Sequence, residues 1–376
     1  MRVFLSTGEA SGDMLAAALV TAIRELAPDA TFGGIGSERM EAAGVTLTTR
    51  TTGWSSMGPL EALMRIAPLA LVALRHSFWL RRSPWDLIVL IDFGAFNLRL
   101  AGYLRWIGYR APILYLLPPG AWIDSPKVAR LVARRAVALT AFAHQRDFYR
   151  SQGLEIAYYG HPLVSLVAPR EPRPIAAADG GTIALLPGIR RGEIERHMPA
   201  LLAAARVIRE RRPNARFVVS AADGEAEALV RRALARAPLQ GVEIVRGARP
   251  ALDSADAAWI ASGTAVLEAA LREVPCVALY IIAEAQVPIA KRMWRLKYAT
   301  LPNILLDREA VPELLQHDAT PGRLARALEA LLADPESQLR ELRMLRAELG
   351  PPDALARCAE FALRQSSGQA PSTSSG

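Results

Sequence analysis

Cysteine is nearly missing from this chain: 376 residues hold two, Cys276 and Cys358, far apart in apolar or helical surroundings. A disulfide framework and a zinc site are therefore not expected, and a reducing cytoplasm is. No uncharged apolar run reaches the roughly 18–20 residues that a spanning helix needs. One of the longer stretches, Ala111 to Ile123, falls short and is broken by Pro and Gly. A strand-like Arg2-Val-Phe-Leu-Ser6 begins at once, so no signal peptide is expected. The dinucleotide fingerprint G-x-G-x-x-G and the basic–aromatic motifs of RNA binders are missing too, which leaves nucleic acid off the list of expected partners. No Asp-x-Asp pair occurs. A metal-chelated nucleotide is not expected, no metal ligands are assigned and no cofactor is implied.

What is present is the composition of a globular protein: hydrophobic residues make up 51% and charged ones 22%. The net charge is +8 and the pI near 9.9, carried almost wholly by arginine. Arginine suits phosphate recognition or an anionic membrane surface, although genomic base composition produces the same bias. The length suggests two domains, each able to bury its own core.

Short apolar strands alternate with helices, the pattern of parallel α/β sheets. Strands are predicted at Val3–Leu5, Thr31–Ile35, Leu87–Ile91, Ile113–Leu116, Val137–Ala141 and Glu155–Tyr158. A Pro/Gly-rich linker follows, and the alternation restarts at Thr182–Leu186, Arg216–Ser220, Val242–Val245, Ala257–Ile260 and Cys276–Tyr280. The predicted fold class is α/β, two Rossmann-like domains facing a cleft with ligands at strand carboxyl ends. The first domain spans 1–168, the linker 169–181 and the second domain 182–349. A terminal helix (350–365) and a Ser/Gly/Pro-rich disordered tail (366–376) complete the chain.

Several strand ends carry candidate chemistry. Ser262-Gly-Thr264 follows the strand Ala257–Ile260 and leads into a helix bearing Glu268. Ser262 or Thr264 can cap that helix, and Gly263 lets its first amides approach an anion such as phosphate. Glu268, about a turn further in, could hold sugar hydroxyls. Leu185-Leu-Pro-Gly188-Ile-Arg190-Arg191 supplies a close backbone approach and guanidinium charge suited to a diphosphate. Asp92 ends the strand Leu87–Ile91 and serves either as a helix cap or as the base that a sugar transfer needs. Gly8-Glu-Ala-Ser-Gly-Asp13 reads either as a phosphate- or sugar-cradling loop or as a tight turn with Asp13 capping a helix. His161 is a packed hinge residue or a catalyst. Asn303, behind a proline in a loop, could read a base or phosphate. Residues 63–82 form an apolar helix with Trp79 and arginines at its edge, either buried or dipping into a bilayer interface.

Together these motifs resemble lipid A disaccharide synthases, a family of inverting glycosyltransferases. The resemblance runs from about Val3 to Gln316. It is carried by Gly8–Asp13, Gly34-Ile-Gly-Ser-Glu-Arg-Met40, Met57-Gly-Pro-Leu-Glu61, Asp92 with Phe96-Asn97, and Gly160-His-Pro162. Leu185–Gly188 with Arg190, Ser262–Thr264 with Glu268, and Leu301-Pro-Asn303 complete it. It implies a GT-B architecture and transfer of 2,3-diacylglucosamine from UDP to 2,3-diacylglucosamine 1-phosphate, releasing UDP without a metal. It further implies Asp92 as general base, and Gly188, Arg190, Ser262, Gly263, Thr264, Glu268 and Asn303 around UDP. Glu9, Ser11, Met57, Glu61 and Asn97 fall on the acceptor side. A UDP-linked acylated sugar donor, a lipid acceptor and the inner-membrane surface, met by residues 63–82, are the implied partners of a cytoplasmic, peripherally bound enzyme; oligomeric state is not implied.

Three departures cluster in the first domain. The family's Tyr-Val-Ser-Pro-Ser-Val-Trp is here Tyr115-Leu-Leu-Pro-Pro-Gly-Ala-Trp122; its Pro-Asp two residues after the base is Gly94-Ala95; its Pro-Phe-Glu is Ala143-His-Gln145. They leave open a related UDP-sugar glycosyltransferase or epimerase with a different acceptor.

Overall fold

The computed structural model describes residues 1–51, 54, 59–83, 85–120, 125–171, 181–293 and 296–367. It divides into two compact units, Met1–Leu166 with Leu349–Gly376, and Val167–Glu348.

The first unit runs β1 (Arg2–Ser6), α1 (Ala10–Leu26), β2 (Thr31–Gly36), α2 (Glu38–Ala42), β3 (Thr46–Arg50), α3 (Pro59–Arg81) and β4 (Leu87–Ile91). It continues with α4 (Gly94–Trp106), β5 (Ile113–Leu116), α5 (Pro126–Arg135), β6 (Val137–Thr140), α6 (Ala143–Ser151), β7 (Ala157–Tyr158) and α7 (Leu163–Leu166). The sheet is parallel throughout, in the order β3-β2-β1-β4-β5-β6-β7. Leu87–Ile91 is apolar at every position because helices cover both faces and all five residues are buried. On one face Val3, Leu5, Leu19 and Ile23 pack together; on the other Phe4, Ile88 and Leu90 meet Leu80 of α3 and Leu100 and Leu104 of α4.

The second unit repeats the plan with β8 (Thr182–Leu186), α8 (Arg191–Arg211), β9 (Arg216–Ala221), α9 (Gly224–Arg236), β10 (Val242–Arg246), α10 (Ala248–Ser254) and β11 (Ala257–Ala261). Then come α11 (Thr264–Leu271), β12 (Cys276–Tyr280), α12 (Val287–Met293), α13 (Leu301–Leu306), β13 (Glu313–Leu315), α14 (Pro321–Ala333) and α15 (Pro335–Leu349). Its parallel order is β10-β9-β8-β11-β12-β13. Trp259 is fully buried at the centre and donates its indole N–H to the Leu324 carbonyl at 3.0 Å, satisfying the one polar atom of a large core side chain.

The last helix, α16 (Ala354–Ser366), is not a separate appendage. Its face of Cys358, Ala359, Phe361 and Ala362 joins the core of the first unit beside α1. Leu355 N–H donates to Ser165 Oγ, and the Phe361 ring lies 5.6 Å from that of Tyr159. Residues 172–180 of the expected linker and 368–376 of the expected tail lie outside the described residues.

The helix α3 is buried on one side only and carries apolar residues on its exposed side as well. Ala73, Ser77 and Leu80 are buried, while Leu71, Phe78 and Trp79 stay exposed. No helix among the described residues is long and apolar enough to cross a membrane.

Candidate active site

In both sheets the strand order reverses direction beside the first strand, and ligand crevices of this fold class open at that switch point. In the first unit the switch lies between β1 and β4, where Ser6 pairs with Leu90. The turn Thr7–Glu9 and the residue Asp92 therefore come out side by side.

Asp92 and Phe93 both take a left-handed φ of 48°. This turn ends β4 and starts α4, with Phe93 as its cap. As a residue Asp92 is open to solvent, yet its carboxyl group is crowded by protein. That crowding, and secondarily the Glu9 charge, raises the carboxyl to about 6, against a smaller downward pull from the Phe93 amide. A base titrating there is deprotonated at neutral pH yet still basic enough to accept a proton. Glu9 is half-buried at the start of α1, and Ser11 lies in the first turn of that helix.

Asn97 does not face an acceptor. It is fully buried, and its Nδ2 donates to the carbonyls of Ser6 (3.1 Å), Ile91 (3.1 Å) and Asp92 (2.9 Å). Asp13 does not cap its own helix; its two carboxylate oxygens accept from the amides of Ser37 and Arg39 at the start of α2. Met57 lies outside the described residues, and Glu61 lies in α3 where only the backbone is described. His161 is a packed residue: its Nδ1 accepts from the Leu163 amide, and burial pushes its pKa down to about 4.

The three altered segments, at the start of α4, after β5 and at the start of α6, touch one another. A Cβ on Gly94 would lie 2.7 Å from Cβ of Pro119, and Gln145 Nε2 donates to the Pro118 carbonyl at 3.2 Å. Gln145 is buried, and its Oε1 accepts from Thr140 Oγ1 at 2.5 Å.

In the second unit Leu186 pairs with Ile260, which sets the turn after β8 beside the turn after β11. Gly188 has φ +104°, and a Cβ there would meet Glu193 Oε2 at 2.5 Å. Glu193, buried in the first turn of α8, organises this turn. Its Oε2 accepts from the amides of Ile189 (3.2 Å) and Arg190 (3.3 Å), and its Oε1 from Arg190 Nη1 (2.9 Å) and the Tyr280 hydroxyl (3.2 Å). Glu–Arg pairing here aims the guanidinium rather than storing much stability.

His197 locks the same turn from below. Its Nε2 accepts from the Ile281 amide at 3.0 Å, so Nδ1 carries the proton and donates to the Pro187 carbonyl at 2.8 Å. Burial holds this imidazole below its ordinary pKa and keeps it neutral. Neither Glu193 nor His197 was among the residues picked from sequence. A glutamate at the third helical position is a capping-box spacing and could have marked the first; no local signal marks the second.

The helix α11 starts from Gly263, exposed and extended, with no side-chain cap. Ser262 does not cap it either; its hydroxyl donates to the Ala299 carbonyl at 3.0 Å. The Val266 amide donates to the Gly263 carbonyl at 3.1 Å, and the amides ahead of it stand where an anion would suit the helix start. Thr264 and Glu268 follow, both half-buried on the same face a turn apart.

Asn303 is not in a loop but in α13, and it is fully buried. Pro302 is tolerated because it stands in the first turn, where no amide hydrogen bond is lost. The Asn303 amide is spent internally: Nδ2 donates to the Val311 carbonyl and Glu313 Oε1, and Oδ1 accepts from the Val311 amide. Glu313 also takes the amides of Ala299 and Thr300 and the Thr300 hydroxyl, so the pair fixes the segment that receives Ser262.

This arrangement has close counterparts. A family profile described as lipid-A-disaccharide synthetase matches residues 3–349. The lipid-A-disaccharide synthase of Azoarcus sp. is 36% identical over 350 residues, covering 89% of this chain and 88% of that one. That of Synechocystis sp. is 33% identical over 390 residues, covering 98% and 99%. Among solved structures, a UDP-GlcNAc 2-epimerase from Neisseria meningitidis bound to UDP-GlcNAc superposes with a TM-score of 0.67 at 9% identity, covering 97% of this chain and 100% of its own. A spinosyn rhamnosyltransferase complexed with thymidine diphosphate reaches 0.60 at 14% identity, covering 96% and 99%. The structural likenesses show a shared GT-B-like fold of two parallel-sheet halves; the sequence matches, with the strand-end geometry above, show that this chain belongs to the lipid-A-disaccharide synthetase family.

Proposed function

We propose that this chain joins the 2,3-diacylglucosaminyl group of a UDP donor to 2,3-diacylglucosamine 1-phosphate with Asp92 as the base. The acceptor hydroxyl attacks the anomeric carbon from the face opposite UDP. As the new C–O bond forms, its proton passes to Asp92, and the bond to the β-phosphate oxygen breaks with the electron pair leaving on UDP. Arg190 and the first amides of α11 meet that charge, where electrostatic stabilisation counts most. Glu268 grips hydroxyls of the donor, and Glu9 and Ser11 line the acceptor side. Asn303 contributes by fixing the segment that holds Ser262 rather than by touching UDP.

The observation that carries this reading is the position of Asp92 at the β1/β4 switch point beside the turn that bears Glu9, where burial and the Glu9 charge push its carboxyl up to about 6. The test is an assay of purified protein with UDP-2,3-diacylglucosamine and the 1-phosphate acceptor in detergent. Asp92→Asn should abolish disaccharide formation while leaving UDP affinity within about twofold, because the nucleotide site belongs to the other unit. Full activity in this variant removes Asp92 from the mechanism. A wild-type protein that converts the free UDP-sugar without acceptor is an epimerase instead.

The exposed Leu71, Phe78 and Trp79 on α3, with Arg75, Arg81 and Arg82 beside them, support docking on an anionic inner-membrane surface from the cytoplasm. Vesicle flotation checks this: binding should require anionic lipid and weaken when Phe78 and Trp79 become serine.

A further inference from the structure

Two successive side-chain-bearing residues in the left-handed region, Asp92 and Phe93, make an unfavourable turn that something must hold. The Asp92 carbonyl accepts from Asn97 Nδ2 at 2.9 Å and from the Tyr115 hydroxyl at 3.0 Å, and its amide donates to the Leu116 carbonyl at 3.0 Å. Asn97 is itself fixed. Three carbonyls face its Nδ2, and Ser6 Oγ donates to its Oδ1 at 2.7 Å, so a flipped amide would set oxygen against oxygen. Asn97, Tyr115 and Ser6 are all fully buried. None can touch a substrate.

We infer that Tyr115 and Asn97, with Ser6 behind them, are positioning residues that clamp the peptide of Asp92 and thereby aim its carboxylate at the acceptor hydroxyl. The inference rests on Asp92 being the base. The clamp explains why a polar tyrosine stands in the otherwise apolar strand β5: its hydroxyl reaches across from the neighbouring strand to the one carbonyl that must not rotate. It also separates two demands on one residue. The backbone of Asp92 is tied by three hydrogen bonds while the residue remains open to solvent at the strand end.

Tyr115→Phe removes one oxygen, keeps the ring and leaves the Asp92 carbonyl with its Asn97 partner. A clamp predicts that kcat falls by roughly ten- to a hundredfold, as sub-ångström misplacement of a reacting group does. KM for both substrates and UDP affinity should stay within twofold. The acid limb of the kcat/KM profile should also move to lower pH, because an unaimed carboxylate turns toward water. Ser6→Ala frees Oδ1 of Asn97 without disturbing Tyr115 and should lower kcat severalfold with unchanged KM; it decides the matter if Tyr115→Phe does not fold. Wild-type kcat and acid limb in the folded variants overturn the clamp. The same Asp92→Asn assay keeps the two ideas apart: a fully active Asp92→Asn removes base and clamp together, while an inactive one beside a fully active Tyr115→Phe removes the clamp alone.

Discussion

Acid should weaken the first unit through His161. Its ring is 4% exposed, its Nδ1 accepts from the Leu163 amide at 3.1 Å, and Phe142 lies 5.4 Å away, so a proton on Nδ1 would face an N–H with no room for water. Burial lowers its pKa from 6.5 to about 4. A folded-state value below the unfolded one means that the unfolded chain takes up the proton first. The stability held above pH 6.5 is therefore lost as pH falls toward 4. At roughly 1.4 kcal/mol per pH unit, the loss is on the order of 1 kcal/mol by pH 5.5 and 2–3 kcal/mol by pH 4.5. That is a large part of a typical 5–15 kcal/mol. Two other histidines with lowered values, His76 and His197, add in the same direction, while the raised Asp92 works oppositely by losing its penalty as it protonates. Only a difference isolates His161. Urea unfolding of the wild type and of His161→Asn, whose side-chain oxygen can still accept from Leu163, should be followed by circular dichroism from pH 7.5 to 4.5. The wild type's advantage should shrink by roughly 2–3 kcal/mol across that range. A gap independent of pH refutes the argument.

Other outcomes follow from the same geometry. Transfer should decline on the acid side with an apparent pKa near 6, so that about a tenth of Asp92 is active at pH 5. Glu9→Gln removes a like charge and should move that limb to lower pH; a wild-type limb near 4 would show that the crowding of Asp92 does not operate in solution. Gly188→Ala puts a Cβ 2.5 Å from Glu193 Oε2 and should cost about 2 kcal/mol in thermal stability and weaken UDP at least tenfold by calorimetry. Unchanged UDP affinity would mean that the Glu193-braced turn does not serve the nucleotide. Glu313→Gln replaces an acceptor of four hydrogen bonds by a group half donor, and should lower stability by about 1–3 kcal/mol and raise the donor KM but not the acceptor KM.

Much of the fold could be read from residue pattern alone because the central strands are continuous apolar runs. Leu87–Ile91, Ile113–Leu116, Thr182–Leu186 and Cys276–Tyr280 have in the structure the ends predicted for them. What escaped lies at the sheet margins. The strands β3 (Thr-Leu-Thr-Thr-Arg) and β13 (Glu-Leu-Leu) are short and carry little apolar signal, since an edge strand is only partly covered. The helix α13 escaped because Pro302 marks a turn as readily as a first helical turn. Among the proposed site residues, Asp92 was visible as a polar group directly after the buried strand β4, and Arg190 as a charge in the turn that follows β8. The direction of Asn97 was not, because two left-handed residues ahead of α4 set the phase of that helix and nothing local announces them. Asn303 misled for a related reason: its partners Val311 and Glu313 lie 8 and 10 residues on, and only the packed structure brings them together.

The contact between Gly94 and Pro119, with Gln145 holding Pro118, turns three separate sequence departures into one packed block. With Pro119 in place, position 94 has no room even for a Cβ, so the proline usual there in the family cannot coexist with it. A proline at 94 would require Pro119 to move, and Gln145 at the start of α6 bonds the same turn through the Pro118 carbonyl. Grafting any one of these loops from a relative should therefore give a misfitted hybrid, while exchanging positions 94, 118–119 and 145 together should transplant cleanly. The start of α4, the turn after β5 and the start of α6 thus form one packed insert, with the strands as its fixed frame.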